Sequence, residues 1–467
     1  MVAGFAAVFA LDSADKGAIG AMAAQLEQGL GIGKIELGLL LTVSSLLGAI
    51  ATLPFGWLAD RTNRTRVLAI AIVLWGAAMG LSATVTSYLD LLLARLALGV
   101  VVAAAVPTVA SLVGDYFQPH LRGRMYGYIL AGELIGTGFG YIVSGELVLL
   151  SWRIGFFALA LAALPVAWLV HRLPEPARGG GDRLEPGQER IGERENTGPG
   201  AAEDKSGAAD TSGLIRDMIR EAHLRPREDL VHDENPRHKS LWWAAWYVLH
   251  IPTNLVLIVA SSLGYYYFAG MRTFGVELAH GWFGLGHSAA IGLVVLFGFS
   301  GLAGALVGGR LGDYLLARKH LSARIIVATV AYLATGIFLV PALLTPLLIV
   351  AVPALMLSGF SLGAVNPPLD ATRLDIMHPY LWGRAESVRT SLRLVGEAAG
   401  PLLFGYTAQH VFGDGAVALQ RTFLLMLIPL FVSGGISLIA FRTYPRDVAT
   451  AEAYTQRTQR KEKDGGK

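Results

Sequence analysis

The charged side chains of this chain are concentrated in two short segments. The sequence contains 38 Lys and Arg and 35 Asp and Glu, and about half of them lie in residues 174–240 and 442–467. Over all 467 residues only 16% are charged and 53% are apolar, whereas about 25% of a typical soluble domain is charged. A soluble fold has too little interior to bury such long apolar stretches. The sequence therefore predicts a membrane protein with many spans.

Twelve apolar stretches are long enough to cross a hydrocarbon core of about 30 Å as helices. Backbone groups in lipid need partners within their own segment, so these stretches are predicted to be helical. We number them spans 1–12, and they cover residues 2–27, 36–58, 66–84, 89–113, 124–148, 153–173, 252–277, 288–311, 323–340, 344–366, 384–412 and 417–441.

This pattern divides the chain into four predicted parts. Residues 1–173 and 241–441 each form a six-helix bundle, residues 174–240 form a linker, and residues 442–467 form a tail. Apolar residues near 212–224 recur at helical spacing, which predicts a short amphipathic helix in the linker. Basic residues of the short loops lie mostly on the side of the linker. By the positive-inside rule, both termini and the linker are expected in the cytoplasm of a cell.

The composition also excludes or disfavours several functions. The chain has no Cys, which excludes disulfide bonds, thiolate metal sites and a Cys nucleophile. Its net charge is only +3 and its basic residues form no single stripe, so nucleic acid is not an expected partner. The sequence has no phosphate-binding G-x4-G-K-[ST] loop, and its eleven His form no metal-binding pattern. We expect no cofactor, no metal and no enzymatic activity.

Two kinds of segment recur in the two halves of the chain. Residues 115–124 and 375–384 share the pattern D-x3-P-x-L-x-G-R at a spacing of 260 residues. Residues 56–60 and 309–313 are a second matching pair, each at the end of a span. Glycines at the 260-residue spacing are Gly136, Gly140 and Gly145, which correspond to Gly396, Gly400 and Gly405. These matches predict a duplicated six-helix unit.

Residues 56–66 carry a loop motif that links the chain to a family. Gly56-Trp-Leu-Ala-Asp60-Arg-Thr-Asn-Arg64-Thr-Arg66 resembles the G-x-L-a-D-r-x-g-r-r motif of the major facilitator superfamily, with Asn63 in place of a Gly. The resemblance implies an all-α membrane protein in which 12 transmembrane helices form two pseudo-symmetric six-helix bundles.

Charged residues at the span ends are candidates for gating. Asp60 can pair with Arg64 or Arg66, and with the positive N-terminus of a span in the facing half. Such pairs form when the cytoplasmic side closes and break when it opens. The alternative is that these charges only set the topology. The candidate gating residues are Gly56, Asp60, Arg61, Arg64, Arg66, Asp115, Arg124, Asp313, Asp375 and Arg384.

A narrower resemblance is to the prokaryotic Spinster lysolipid transporters. Residues 13–16, Ser-Ala-Asp-Lys, are similar to that family's N-Y-x-D-R, and residues 93–99 are similar to the start of its A-R-x-x-x-G-x-G-E-A. Residues 254–274 and 383–389 also look like that branch. The resemblance implies lysophospholipid transport coupled to protons. Lys16 replaces an Arg of the family pattern, and Val101-Val102 replaces its Gly-Glu, so the acid of the fourth span is missing.

Several spans contain charged residues, which are functional candidates because each costs about 2.5–3.5 kcal/mol at the centre of a bilayer. Span 1 has Asp12, Asp15 and Lys16 on one helical face. Span 4 has Arg95 and span 5 has Glu133. Span 11 has a stripe of four charged residues, which are Glu386, Arg389, Arg393 and Glu397.

The carboxylates of these spans are candidates for proton coupling. Asp15, Glu133 and Asp12 are the expected residues, and we infer that Glu133 replaces the missing acid of the fourth span. No cluster of oxygen ligands around a broken helix is evident, so protons are favoured over sodium. The alternative is that the charges form salt bridges between helices and have no role in transport.

The basic residues of these spans predict an anion-binding site. Arg95 and Arg393 suit an anionic or phosphate head group because the guanidinium fork matches that geometry. Lys16, Glu397 and Asn254 are further candidates, and Tyr265, Tyr266 and Tyr267 would add an aromatic wall. Helix packing is the alternative for the three tyrosines. The walls are otherwise mostly Ala, Leu, Val and Gly, which suits a substrate with a polar head and an apolar tail.

These observations favour a monomeric secondary transporter that moves lysophospholipids or similar amphipathic lipids by alternating access, coupled to protons. Three alternatives remain open. They are a proton-driven exporter of amphipathic drugs, an organic-anion/proton transporter, and a membrane receptor or lipid scramblase that does not transport against a gradient.

Overall fold

The computed structural model describes residues 1–116, 119–176, 218–236, 239–378 and 381–465. Within these ranges the regular secondary structure is entirely helical, with no strand. Each of the twelve predicted spans coincides with one long helix or with two consecutive helices. The predicted all-α fold class is confirmed.

The first half contains the helices of spans 1–6. Met22 separates α1 from α2 within span 1, and the short break at Ala103 and Ala104 separates α5 from α6 within span 4. The helices are α1 Val2–Ala21, α2 Ala23–Leu30, α3 Lys34–Arg61, α4 Arg64–Thr84, α5 Tyr88–Val102, α6 Ala105–Tyr116, α7 Pro119–Leu147 and α8 Trp152–His171.

The second half contains the helices of spans 7–12. The helices are α9 Leu241–His250, α10 Pro252–Phe283, α11 His287–Ala317, α12 Ala323–Leu344, α13 Leu348–Asp375, α14 Trp382–Tyr406, α15 Ala416–Leu425 and α16 Leu427–Gly465. Two features differ from the expectation. The short helix α9 precedes span 7, and α16 continues as a helix through the segment 442–465 that was expected to be only a tail.

Eight of the described helices or helix pairs are long and apolar enough to cross a membrane by length and composition. The other four predicted spans are formed by α1, by α5 with α6, by α7 and by α14. These four are the spans to which the sequence assigns Asp12 and Asp15, Arg95, Glu133, and Arg393. These charges therefore lie outside the eight apolar helices.

The duplicated glycines allow equivalent helices to approach closely in the two halves. In the first half, a side chain at Gly140 of α7 would collide with the backbone of Ala14 on α1. In the second half, a side chain at Gly400 of α14 would meet the backbone of Tyr266 on α10. Small residues permit such contacts between helices in membranes. Spans 1 and 5 therefore pack as spans 7 and 11 do, as the repeat predicts.

A second pair of duplicated glycines lies where the two halves meet. Gly145 of α7 packs against Ile291 of α11, and Gly405 of α14 packs against the backbone of Lys34 on α3. We call the side of the bundle that carries residues 172–176 and 225–236 the linker side, and the opposite side the far side. Both glycine contacts lie towards the far side.

The end of the linker is attached to α16. The backbone amide of Arg227 donates to Thr450 Oγ1 at 2.9 Å, and the Tyr454 hydroxyl donates to the Glu234 carbonyl at 2.9 Å. Of the amphipathic helix predicted near 212–224, residues 218–221 are helical, and residues 212–217 lie outside the described residues.

Two glycines of α7 make a matched test of the helix contact. Gly140→Ala places a Cβ against the Ala14 backbone, and we expect a loss of about 1–3 kcal/mol in unfolding free energy from overpacking. Gly138 has open space around its Cβ position, so Gly138→Ala should be neutral or should stabilise by up to about 1 kcal/mol through helix propensity. Thermal unfolding in detergent measures both, and equal effects would contradict the close contact between α1 and α7.

Candidate functional site

Glu397 of α14 is a buried carboxylate that binds two arginines. Its Oε1 accepts from Arg272 Nη2 of α10 at 2.8 Å, and its Oε2 accepts from Arg393 Nη1 at 3.0 Å. The Glu397 and Arg272 side chains are only 5% and 8% exposed. A buried charge needs paired and hydrogen-bonded partners, and both oxygens of Glu397 have them.

The Arg393 guanidinium is stacked on an aromatic ring. Its Cζ lies 4.1 Å from the centroid of the Tyr265 ring of α10. The side chain of Arg393 is 19% exposed, whereas that of Arg272, the other arginine that binds Glu397, is 8% exposed. Because Glu397 and Tyr265 hold the guanidinium plane from two directions, its remaining N–H donors are oriented in advance for an anion.

Two helices of the first half bring further charges to the same place. On α1, Lys16 Nζ donates to Asp12 Oδ2 at 2.8 Å, and both side chains are about one-fifth exposed. On α7, the Glu133 carboxylate has no hydrogen-bond or ion-pair partner within the described ranges, although it lies within electrostatic reach of Lys16 and Arg393. Lys16 is also within reach of Glu397.

We call this group the central cluster, and it contains residues of both halves. The second half contributes two arginines and one glutamate, whereas the first half contributes two acids and one lysine. Each half of the cluster thus has one unbalanced charge, positive in the second half and negative in the first. The members of the central cluster are Asp12, Lys16, Glu133, Arg272, Arg393 and Glu397.

Asp15 and Arg95 form a separate ion pair inside the first half. Arg95 Nη1 donates to Asp15 Oδ1 at 2.6 Å, and the two side chains are 1% and 5% exposed. The guanidinium also lies 4.8 Å from the Phe156 ring centroid of α8 and contacts the Met79 sulfur of α4. Arg95 was expected to bind substrate, but these partners enclose it within the bundle, so an anion beside Arg393 would not reach it in this conformation.

The remaining substrate candidates separate into two groups. Tyr265 lies in the site under Arg393. Tyr266 and Tyr267 instead pack against the Phe404 ring, at 5.8 Å between centroids in each case, so helix packing accounts for both. Asn254 is not near the site, because it lies about three turns before Tyr265 on α10 and its amide donates to the Val248 carbonyl at 3.0 Å.

Arg272 is a site residue that the sequence analysis did not select. It lies near the end of predicted span 7, residues 252–277. The helix continues for eleven residues beyond it, to Phe283. The signal that could have identified it is its position inside the apolar window of span 7, where a charge requires a partner.

An apolar crevice adjoins the cluster in the first half. Asp12 is its polar residue, and its walls come from α1, α4, α5 and α6. Val102, at the position where the Spinster pattern has a Glu, is part of the same wall. The apolar residues that line the crevice are Val8, Leu11, Leu68, Ala71, Ile72, Trp75, Val101, Val102 and Ala105.

Four of the candidate gating residues have described side chains. Arg64 donates to Glu175 Oε1 at 2.7 Å and to the Pro176 carbonyl at 3.0 Å, whereas Arg66 is exposed. Asp375 accepts from Arg324 and from the Tyr444 hydroxyl, and Arg384 donates to the Pro236 carbonyl. These contacts attach the linker and the loops to their own half. The side chains of Gly56, Asp60, Arg61, Asp115, Arg124 and Asp313 lie outside the described residues.

The buried pair of Asp15 and Arg95 gives a stability test. Asp15→Leu or Arg95→Met alone leaves an uncompensated buried charge, and we expect each to lower the unfolding free energy by about 3–5 kcal/mol. The double variant removes both charges and should recover most of this loss. Chemical unfolding in detergent measures the three variants, with Lys319→Met as a control at an exposed pair that contributes about 0–1 kcal/mol. Additive single effects would contradict the pairing.

Parts of the chain are similar in sequence to known transporters. The chain is 33% identical over 174 residues to the 4-hydroxybenzoate transporter PcaK of Pseudomonas aeruginosa, covering 36% of this chain and 38% of the relative. It is 28% identical over 175 residues to the 3-(3-hydroxy-phenyl)propionate transporter of Escherichia coli, covering 37% and 43%. Each match thus spans less than half of the relative's length.

A solved structure resembles the whole chain. It is a bacterial homologue of the human lysosomal transporter Spinster in an inward-facing, occupied conformation, with a TM-score of 0.69 and 17% identity. The similarity covers 96% of this chain and 97% of that chain, and it confirms the 12-helix fold. Residues 5–385 match the family model of the Major Facilitator Superfamily. The chain is therefore a multi-pass membrane protein that belongs to the Major Facilitator Superfamily.

Proposed function

We propose that this protein transports lysophospholipids or similar amphipathic lipids by alternating access, in exchange or together with protons. The observation that carries the proposal is the position of Arg393, which is stacked on Tyr265, bound to Glu397, partly exposed, and within electrostatic reach of Glu133. A guanidinium with donors left for an anion thus lies within electrostatic reach of a carboxylate that has no direct partner among the described residues.

The charges of the central cluster suit a zwitterionic head group. The second half has one unbalanced positive charge, which favours a phosphate at Arg393. The first half has one unbalanced negative charge at Glu133, which favours an ammonium group or a proton. A phosphoethanolamine head contains both a phosphate and an ammonium group, so it can bind both halves at once.

The apolar crevice supports a substrate with a tail. Asp12, which pairs with Lys16 of the cluster, lines the crevice, and the other lining residues are apolar. A head group bound at the cluster would place the first carbons of an acyl chain against these walls, and burial of apolar area would stabilise them.

Glu133 is the best candidate for proton coupling. Asp15 is already bound to Arg95 and Asp12 to Lys16, whereas Glu133 can accept a proton without breaking an ion pair in the described ranges. Protonation would remove the charge that binds the ammonium group, so proton binding and substrate binding would be linked. Asp12 and Asp15 remain secondary candidates.

The contacts between the halves support a conformation that is closed on the far side. Lys34 of the first half forms an ion pair with Glu277 of the second, and Gly145 and Gly405 pack across the same boundary. With the linker side in the cytoplasm, this is a state closed to the outside of the cell. We further propose that the protein acts as a monomer in a bacterial cytoplasmic membrane, with both termini inside and with the halves and linker bounded as predicted.

Organic-anion transport is the second candidate, and the curated relatives favour it. Two of them are named as transporters of 4-hydroxybenzoate and of 3-(3-hydroxy-phenyl)propionate. Arg393 on Tyr265 would serve a carboxylate on an aromatic ring as well as a phosphate, because the guanidinium fork matches both anions. This candidate needs neither Glu133 as an ammonium partner nor the apolar crevice.

Flux into proteoliposomes tests the proposed function. The probe is a fluorescent lysophosphatidylethanolamine, measured with and without an imposed pH gradient. We expect gradient-dependent flux in the wild type. Arg393→Ala should lower its kcat/KM by about 10- to 100-fold, because a hydrogen bond to a charged group contributes about 1.5–3 kcal/mol. Arg421→Gln, at an exposed arginine of α15, is the matched control.

Glu133→Gln tests the coupling separately. We expect it to retain flux down a lysolipid gradient and to lose the response to the pH gradient, because the side chain can no longer exchange a proton. Glu146→Gln changes an exposed glutamate of the same helix and should keep the response. Wild-type flux of 4-hydroxybenzoate without any lysolipid flux would replace the lipid proposal with the organic-anion candidate.

A further inference from the structure

Two hydroxyl groups of the first half bind backbone carbonyls of the second half. Thr42 Oγ1 of α3 donates to the Ala398 carbonyl of α14 at 2.6 Å. The Tyr141 hydroxyl of α7 donates to the Arg272 carbonyl of α10. Gly20 of α1 also lies directly against this carbonyl, with no space for a side chain between them. These carbonyls are therefore points at which the halves are joined.

Both carbonyls lie next to the same ion pair. One belongs to Arg272 itself, and the other belongs to Ala398, which follows Glu397 in the chain. The Arg272 and Glu397 side chains join α10 to α14 through a 2.8 Å ion pair. If this pair were lost, the two carbonyls would no longer be held at a fixed spacing for the hydroxyls of Tyr141 and Thr42.

The ion pair is also connected to the head-group site. Glu397 divides its two oxygens between Arg272 and Arg393, and Arg393 is the residue proposed to bind the anion. Without the Arg272 guanidinium, both oxygens of Glu397 would be available to Arg393. Glu397 would then compete with a substrate anion for the same N–H donors.

We propose that Arg272 is a positioning residue that couples closure of the far side to the head-group site. Its backbone carbonyl accepts a hydrogen bond from Tyr141 of the first half. Its guanidinium binds one oxygen of Glu397, so that Arg393 keeps free donors for an anion. The effect on substrate affinity rests on the proposed function, whereas the effect on closure does not.

Distance measurements between spin labels test the closure. The chain has no native Cys, so cysteines at Leu150 and Ile349, two exposed far-side positions in different halves, can be labelled without background. Wild type should give a predominantly short separation. Arg272→Gln, Tyr141→Phe and Thr42→Val should each at least halve the population at that separation, and Arg272→Lys should restore part of it.

Ser44→Ala is the matched control, because the Ser44 hydroxyl donates to the Leu40 carbonyl of its own helix at 2.7 Å. It should leave the distance distribution unchanged. Tyr141→Phe and Thr42→Val are conservative changes, so they still test the closure of the far side if Arg272→Gln does not fold. A wild-type distribution in these variants and in Arg272→Gln would overturn the proposal.

Flux kinetics test the proposed effect of Arg272 on substrate affinity with the same lysophosphatidylethanolamine probe. We expect Arg272→Gln to raise KM by about tenfold, with recovery in Arg272→Lys and no change in Ser44→Ala. Wild-type KM in Arg272→Gln would overturn the link to the substrate. If the wild type moves no lysolipid while Arg272→Gln still opens the far side, the proposed substrate is wrong and the role in closure stands.

Discussion

The sharing of Glu397 between two arginines is the interaction on which the rest of the site depends. A single charge inside a membrane bundle is costly, whereas the Glu397 carboxylate gives each of the two guanidinium groups an ion-pair partner. The group keeps a net positive charge, so it attracts an anion. It also joins α10 to α14, and Tyr265 of α10 then lies under Arg393 of α14.

The charged helices meet at the centre because their other residues are small. Spans 1 and 5, and likewise spans 7 and 11, pack through glycines that leave no room for a side chain. These close contacts bring α1, α7, α10 and α14 together, and each of them contributes to the central cluster. Glycine spacing and buried charge are therefore two parts of one arrangement, since the charges find partners only if the backbones approach closely.

The fold could be predicted from the sequence much further than the site could. Span length, charge distribution and the repeat identify the helices, because the bilayer imposes a length and a polarity on every span. The contacts of individual charges depend on helix rotation, which hydropathy does not determine. Arg95 was expected to bind substrate but pairs with Asp15 inside the first half, and Arg272, which was not selected, pairs with Glu397 in the core. Asn254 is separated from Tyr265 by depth, because it lies near the start of the same helix.

The paired glycine contacts at Gly145 and Gly405 have a mechanical consequence. Each half is tightly packed within itself, and each presents one glycine to the other half at an equivalent position. Both contacts lie towards the far side, so opening of that side must separate both of them. Because the two contacts are equivalent, the duplication makes this opening symmetric about the boundary between the halves.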